Sequence, residues 1–361
     1  MGKLGFYIVR NIFVTTLLVL FIVFGIYFVF TFIAQLGDIG QGSYGVWGAV
    51  KTVLYSIPWS LNLMFPIIAM LGTLMGLSML AQSGELVAMR ASGVSWYLVF
   101  KAVLFMGVVF AIISFIIGSY VAPKLNVLSM TEQQFAKQGE NVYIGQKSLW
   151  LKDKNNFFYI EEMESGYHGI LEGVTRYHIE NGVLLSVLKA KRAIFKDHHW
   201  VLYNVSESKI NSNNYKTQKH DQVTLDAFIS PKLIKLLSDS SSIENLTLHQ
   251  LDLVIDYRIQ NNLRVAAFQM AFWRVIFQPI SIIILMFSVL PYIFMANARR
   301  TYAVRLLVGG AVGFAFFVFN QFFSQIFIVY DFAIPAFIIA ALPSLCFLLI
   351  TLFLVRVQKN V

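Results

Sequence analysis

The sequence predicts an α-helical polytopic membrane protein of six transmembrane helices in a 3+3 arrangement, with an antiparallel β domain of jelly-roll type inserted between the halves. Three observations predict it. Of 361 residues, 57% are hydrophobic and only 13% charged, with a mean hydropathy of +0.67, which is too apolar for a soluble globule. Six charge-free apolar runs, Ile12–Ala34, Thr52–Ala81, Ala102–Ala122, Val275–Ala298, Leu306–Tyr330 and Phe332–Val355, each exceed the roughly 20 residues a helix needs to cross about 30 Å of hydrocarbon. Between the third and fourth runs the pattern changes to short strand-like segments separated by polar turns. The expected division is residues 1–122 for helices one to three, 123–264 for the β domain, and 265–361 for helices four to six.

The first run is longer than a signal-peptide core and has no A-x-A site after it, so it reads as a retained anchor. Beyond it, Gly40, Gly42 and Gly45 spell G-x-G-x-x-G. The motif follows a membrane helix rather than a strand, so a flexible loop is expected and not a dinucleotide site. The second run has 30 residues, about 45 Å as a helix, and must tilt, kink or protrude. Pro58 and Pro66 bracket Asn62 within it and favour a kink.

Gln82–Ser95 is polar enough to leave the bilayer. Ser83 can cap a first turn that holds Glu85, Leu86, Met89 and Arg90 follow at helical spacing, and Gly93 stops the helix. This predicts a short amphipathic helix at the membrane surface, residues 82–95, suited to grip a soluble partner. The plainer reading is a solvated turn.

The inserted segment should contain strands Val142–Ile144, Leu149–Lys152, Phe157–Glu161, Val174–Ile179, Val183–Leu188, Ala193–Phe195, Trp200–Val205 and Val223–Phe228. Turn chemistry divides them at Asp153–Asn156, at Asn181-Gly182 and at Asp197–His199. Strands without intervening helices suggest a sandwich or jelly roll. Thr247-Leu248-His249-Gln250 has the form of a capping box opening a helix that returns the chain to the membrane.

Basic residues decide the orientation. One set of ends and loops holds Lys3, Arg10, Arg90, Lys101, Arg299, Arg300, Arg305, Arg356 and Lys359 against the single acid Glu85, while the opposite short loops hold Asp38, Lys51, Arg274 and Asp331. The positive-inside rule puts both termini and Gln82–Ser95 in the cytoplasm and the inserted domain outside it. That domain is nearly neutral, with 17 basic and 16 acidic residues, so +8 of the net +9 belongs to the membrane part. It is a topology signal and not a nucleic-acid footprint.

Several activities find no support. A P-loop is absent, so the chain has no ATPase site of its own; no catalytic residue and no metal set is assigned, because the six histidines lack ligand spacing. Cys346 is alone, which excludes an intrachain disulfide. Asn62, Gln269, Gln278, Asn320, Gln321 and Gln325 are costly in lipid and should face protein or a polar cavity, as interhelical glue or as the lining of a path.

The run LGTLMGLSMLAQSGELVAMRASGVS, the GQGSY after the first span, the VAP ending the third, IFQPIS in the fourth and the final LPSLCFLLITLFL are similar to the LptF/LptG (YjgP/YjgQ) lipopolysaccharide export permeases. The likeness covers nearly the whole membrane part, whereas in the inserted domain it is mainly LWLKDKNNFFYIE. The details of GQGSY and GELVAMRASG are closer to the LptG branch.

The resemblance implies a permease subunit of an ABC transporter that is not itself an enzyme. ATP and Mg would be used by a cytoplasmic LptB dimer, and an LptF-type permease would complete the cavity. The inserted domain, periplasmic in an inner-membrane protein, would pass lipopolysaccharide to LptC and a bridge toward the outer membrane. No cofactor is expected in this chain, and membrane lipid surrounds it. Glu85, Leu86, Met89 and Arg90 would form the coupling helix.

Where relatives carry lysines at the outer end of the first span this chain has Thr31, Gly37 and Asp38, and the arginines after the third span fall on Met130 and Gln133. Lys51, Lys124 and Lys137 are the cations that could substitute toward lipid A phosphates. Phe24, Phe28, Phe30, Phe32, Phe314, Phe316 and Phe317 would form apolar walls, with Asn320 and Gln321 beside them. A membrane sensor remains an alternative, though its cytoplasmic segments are short. A lipoprotein-release type permease is another, but those typically have four spans with the domain after the first.

Overall fold

The computed structural model describes residues 2–138, 148–163, 169–211, 214–226, 229–239, 242–295, 302–330 and 334–359. The chain divides into two compact units, Met1–Lys137 with Ala266–Val361, and Gln138–Val265. In chain order the first contains α1 (Lys3–Gln35), α2 (Val46–Gln82), α3 (Glu85–Ala91), α4 (Trp96–Ile116) and α5 (Ala122–Gln138). The second contains strands β1 (Leu149–Asp153), β2 (Asn156–Met163), β3 (Ile170–Glu180), β4 (Val183–Lys196), β5 (His199–Asn211) and β6 (Asn214–Asp226), then α6 (Pro231–Asp239) and α7 (Leu248–Gln260). The membrane unit resumes with α8 (Ala266–Met295), α9 (Tyr302–Tyr330) and α10 (Ala336–Lys359). Six helical segments among the described residues are long and apolar enough to cross a membrane, and the chain is an integral membrane protein.

The second span stays helical through both prolines, with α2 unbroken over 37 residues. It is the centre of the bundle: α1, α8 and α9 all pack on it, whereas α1 and α9 lean on it without a substantial contact of their own. The α1–α2 seam is set by Gly72 and Gly76. A Cβ on Gly72 would stand 2.4 Å from Thr16 Cα, and one on Gly76 2.8 Å from Thr15 Oγ1. The close approach lets Thr15 Oγ1 donate to Gly72 O (2.7 Å) and Asn11 Nδ2 to Gly76 O (2.8 Å), as small residues at i and i+4 do inside membranes.

The third span is longer than its apolar run. From α4 the chain passes through a π-helical turn, Ile117–Val121, into α5, so the segment continues to Lys137. Pro123 therefore does not begin the inserted domain. It lies in the first turn of α5, directly after the π-turn, where its missing N–H removes one bond from the continuing ladder.

In the inserted unit the six strands form one antiparallel sheet in the order β1-β2-β3-β4-β5-β6. Neighbours in sequence are neighbours in space, so this is an up-and-down meander. The crossing connections that define a jelly roll do not occur among the described residues. Val183–Leu188 and Ala193–Phe195 are parts of one strand, β4, and the last strand begins at Asn214 rather than Val223. Val142–Ile144 and Phe228 lie outside the described residues.

The Asn181-Gly182 hairpin forms as the residues require, with φ of 50° and 79°. One face of the sheet carries Leu151, Phe158, Ile160, Leu188, Trp200 and Leu202, with Ile234 of α6 and Tyr257 of α7 in the same core. α6 adds a helix to the expected all-strand segment. The capping box holds, since the Thr247 backbone N–H donates to Gln250 Oε1 at 2.9 Å. On the apolar face Arg176 lies 3.6 Å from Glu207, and burial pushes its pKa down while the carboxylate opposes the shift.

Candidate functional site

At the basic end of the bundle, Gln82–Ser95 does form a helix, but not with the expected cap. Gly84, at φ 77°, precedes α3, and Ser83 Oγ instead donates to Leu80 O (3.2 Å) and to Glu85 Oε1 (3.0 Å). Gly93, at φ 85°, ends the helix as foreseen. Its N–H bonds Arg90 O and the Val94 N–H bonds Met89 O, each at 3.0 Å, the pairing of a Schellman motif.

The apolar stripe of α3 faces the chain itself. Leu86 is buried in a core with Ile8, Val9, Leu80 and Val99, and Met89 packs against it. Glu85 is half-buried beside the Tyr7 phenol, which hydrogen-bonds it, with Arg10 nearby. What faces outward is Val87, 69% exposed, with Ala88, Ala91 and Arg90, whose guanidinium lies 5.5 Å from the Trp96 ring centre. Glu85 and Arg90 thus border the outer surface, whereas Leu86 anchors α3.

At the opposite end, the loop after α1 is pinned rather than flexible. Asp38 Oδ2 meets Lys137 Nζ at 2.6 Å, Gln133 Nε2 donates to Gln35 Oε1 at 2.7 Å, and the Ser43 N–H donates to Ala136 O at 2.7 Å. Tyr44 is buried and donates its hydroxyl to Gln35 Oε1 at 3.1 Å. A Cβ on Gly42 would sit 2.5 Å from Lys137 O, so this glycine of the G-x-G-x-x-G pattern permits a close approach.

Lys137 is therefore paired with an acid, and Gln133 is occupied as well. No ion pair or hydrogen bond among the described residues holds Lys51, which is half-buried, or Lys124, which is exposed.

Between these ends runs a narrow cleft lined by Pro66, Met270, Phe277, Phe316, Phe317 and Asn320, with Arg274 and Gln278 at its wall. Its volume is about 20 Å3, room for roughly one water and not for an acyl chain. Arg274 donates to Gln321 Oε1 at 2.9 Å, Gln278 Nε2 donates to Asn62 O, and Ser114 Oγ donates to Asn62 Oδ1 at 2.7 Å. Asn62, Gln278 and Gln321 thus act as interhelical bonds.

The larger space is on the outer face of α9, where Phe314, Val318, Phe319, Phe322 and Phe323 line an open apolar groove of about 480 Å3. On α1, Phe28 stacks with Phe24 (6.3 Å) and Phe32 (6.0 Å), Phe30 is 71% exposed, and Thr31 is half-buried. The structure joins Phe317 and Asn320 at one cleft and ties Gln321 to Arg274. It does not bring Lys51, Lys124 or Thr31 to either.

Residues 6–357 match the family described as lipopolysaccharide export system permease LptF/LptG. The chain belongs to the LptF/LptG family. It is 34% identical over 358 residues to lipopolysaccharide export system permease protein LptG of Escherichia coli (strain K12), covering 98% of each chain. To the LptG protein of Haemophilus influenzae it is 28% identical over 339 residues, 93% of each. The match spans both membrane halves and the inserted domain of this LptF/LptG member, and six candidate spans with an insertion after the third do not fit a four-span permease.

Sequence reasoning missed two features of the site. Gly72 and Gly76 were legible as G-x-x-x-G within LGTLMG. Arg274 appeared as an outer-loop charge, yet it sits inside α8 beside the cleft.

Proposed function

We propose that this chain is the permease half of an ATP-driven exporter that takes lipopolysaccharide from the inner membrane toward the outer membrane. The match to lipopolysaccharide export permeases over residues 6–357 carries this reading. An LptF-type permease pairs with it, an LptB-type ATPase dimer uses ATP and Mg on the cytoplasmic side, and LptC receives the lipid from the periplasmic unit. Two features support the need for partners. The membrane faces of α1 and α9 expose Phe21, Phe30, Phe314 and Phe322, enough apolar surface to wall a cavity once a second permease faces them. The outward side of α3 offers Val87 and Arg90, flanked by Glu85, to a soluble protein.

In this reading, acyl chains lie along the aromatic faces of α1 and α9, with Phe28 and Phe317 behind them and Asn320 and Gln321 at the polar margin. Lys51, helped by Lys124, takes the phosphate; Lys137 is committed to Asp38. Each exposed contact is worth about 1 kcal/mol because water and salt screen it.

Photoreactive residues at Lys51, Thr31 and Phe317 should give lipopolysaccharide adducts above those from Asn181 in the inserted unit, and Lys51→Glu should slow export. Adducts no stronger than at Asn181, together with normal export by Lys51→Glu, would reject the path. Recovery of the intact membrane complex should yield an ATPase and a second permease; purification alone would reject the assembly.

Orientation has its own check. Reporters at Gly93 and after Lys359 should read cytoplasm and one at Asn181 periplasm, following the nine-to-one basic excess at one end. A periplasmic signal at Gly93 would overturn the layout.

A further inference from the structure

The π-helical turn Ile117–Val121 and the polar contacts around Lys137 stand at the two ends of α5. π-turns interrupt the i to i−4 ladder and give a helix a point of bending. Here the turn contains Gly118, where a Cβ would stand 2.5 Å from Asn62 Nδ2, so the bending point sits close against α2 at a residue with no side chain.

Along its length α5 is tied to α2 by a bond from Ser129 Oγ to Thr52 O (2.9 Å), and at its far end it meets the α1–α2 loop. That loop belongs to α1 and α2, because Tyr44 is 1% exposed and its ring packs on Gly48. Across to α5, besides the close backbone approach at Gly42, its side-chain contacts are polar: Asp38 with Lys137, Gln35 with Gln133, Ser43 with the Ala136 carbonyl, and the Lys137 ammonium 5.5 Å from the Tyr44 ring centre. The side chains of Lys137 and Asp38 are 21% and 33% exposed, so water reaches the pair. Polar contacts within reach of water exchange readily for solvent, unlike a packed apolar seam.

We infer that α5 is a lever, hinged at Ile117–Val121 and held at its far end by a clasp of Asp38, Gln35 and Ser43 on Lys137, Gln133 and Ala136, and that release of this clasp is a step of export. The clasp joins the outer end of α1, whose aromatic face is the proposed acyl wall, to the helix that runs directly into the inserted unit at Gln138. Asp38, Gln35 and Lys137 are then positioning residues. The inference rests on the exporter reading above.

The test locks the clasp. Ser43 and Ala136 are joined by a backbone hydrogen bond, so a Ser43→Cys/Ala136→Cys pair, in a Cys346→Ala background, is placed to form a disulfide. Lipopolysaccharide export by the complete complex should fall at least about tenfold on oxidation and return on reduction. Export unchanged with the disulfide formed would show a static brace and overturn the inference. Failure of the complete complex with the unsubstituted chain to export lipopolysaccharide at all would instead count against the exporter reading. A second variant works without a cross-link: Asp38→Lys sets two cations together and should cut export about tenfold, while Asp38→Lys/Lys137→Asp should restore it to within about twofold. A swap that rescues nothing also overturns the inference.

Discussion

Gly72→Val should remove most of the folded chain from the membrane, and Gly72→Ala should lower it by less. The Cβ added at Gly72 would meet the Thr16 backbone, with Cα at 2.4 Å, and neither helix can yield without opening the seam. Separation also breaks the bond from Thr15 Oγ1 to Gly72 O and, one turn on, the bond from Asn11 to Gly76 O. Overpacking plus lost buried hydrogen bonds amounts to about 3 to 5 kcal/mol, a large part of a typical domain's stability. Gly25 on α1 is the control, because a Cβ there meets nothing within 4 Å, so Gly25→Val should change little. Protease resistance and membrane level of the three variants, measured together, decide the matter; equal levels for Gly72→Val and Gly25→Val would refute the seam.

Glu85→Lys should strip the ATPase from the complex while leaving the amount of the permease nearly unchanged. Among the described residues Glu85 is the only acid at the basic end of the bundle, bordering the outward face of α3. A charge-assisted contact there is worth about 1 to 3 kcal/mol, a roughly 5- to 150-fold change in affinity. Leu86→Ala separates partner binding from folding. Leu86 is 5% exposed within the chain's own core, so its truncation should cost about 2 to 5 kcal/mol and lower the permease itself. Equal ATPase recovery with wild type and Glu85→Lys would reject the coupling role. Arg90 should matter less, since its guanidinium is already near the Trp96 ring.

Local chemistry made much of this protein legible from its sequence. A span is a one-dimensional property, because each helix satisfies its own backbone in lipid, so apolar length and composition suffice to find all six. The Asn181-Gly182 turn, the Thr247–Gln250 capping box and the stop at Gly93 are likewise decided within a few residues. The family is carried by runs that survive in the chain as contiguous motifs. Tertiary structure decided what depends on residues far apart in sequence. Whether Leu86 faces a partner or the core depends on Ile8 and Val99; whether Lys137 is free depends on Asp38; and Gly42 and Gly72 matter because of Lys137 and Thr16. The end of the third span was misplaced for the same reason: hydropathy falls after Ala122, but α5 continues because Ser129 and Ala136 find partners on the α1–α2 hairpin. Composition and spacing determined which segments enter the membrane, and only packing decided which side chains remain available for lipid or partners, since burial and pairing are set by neighbours the local sequence does not contain.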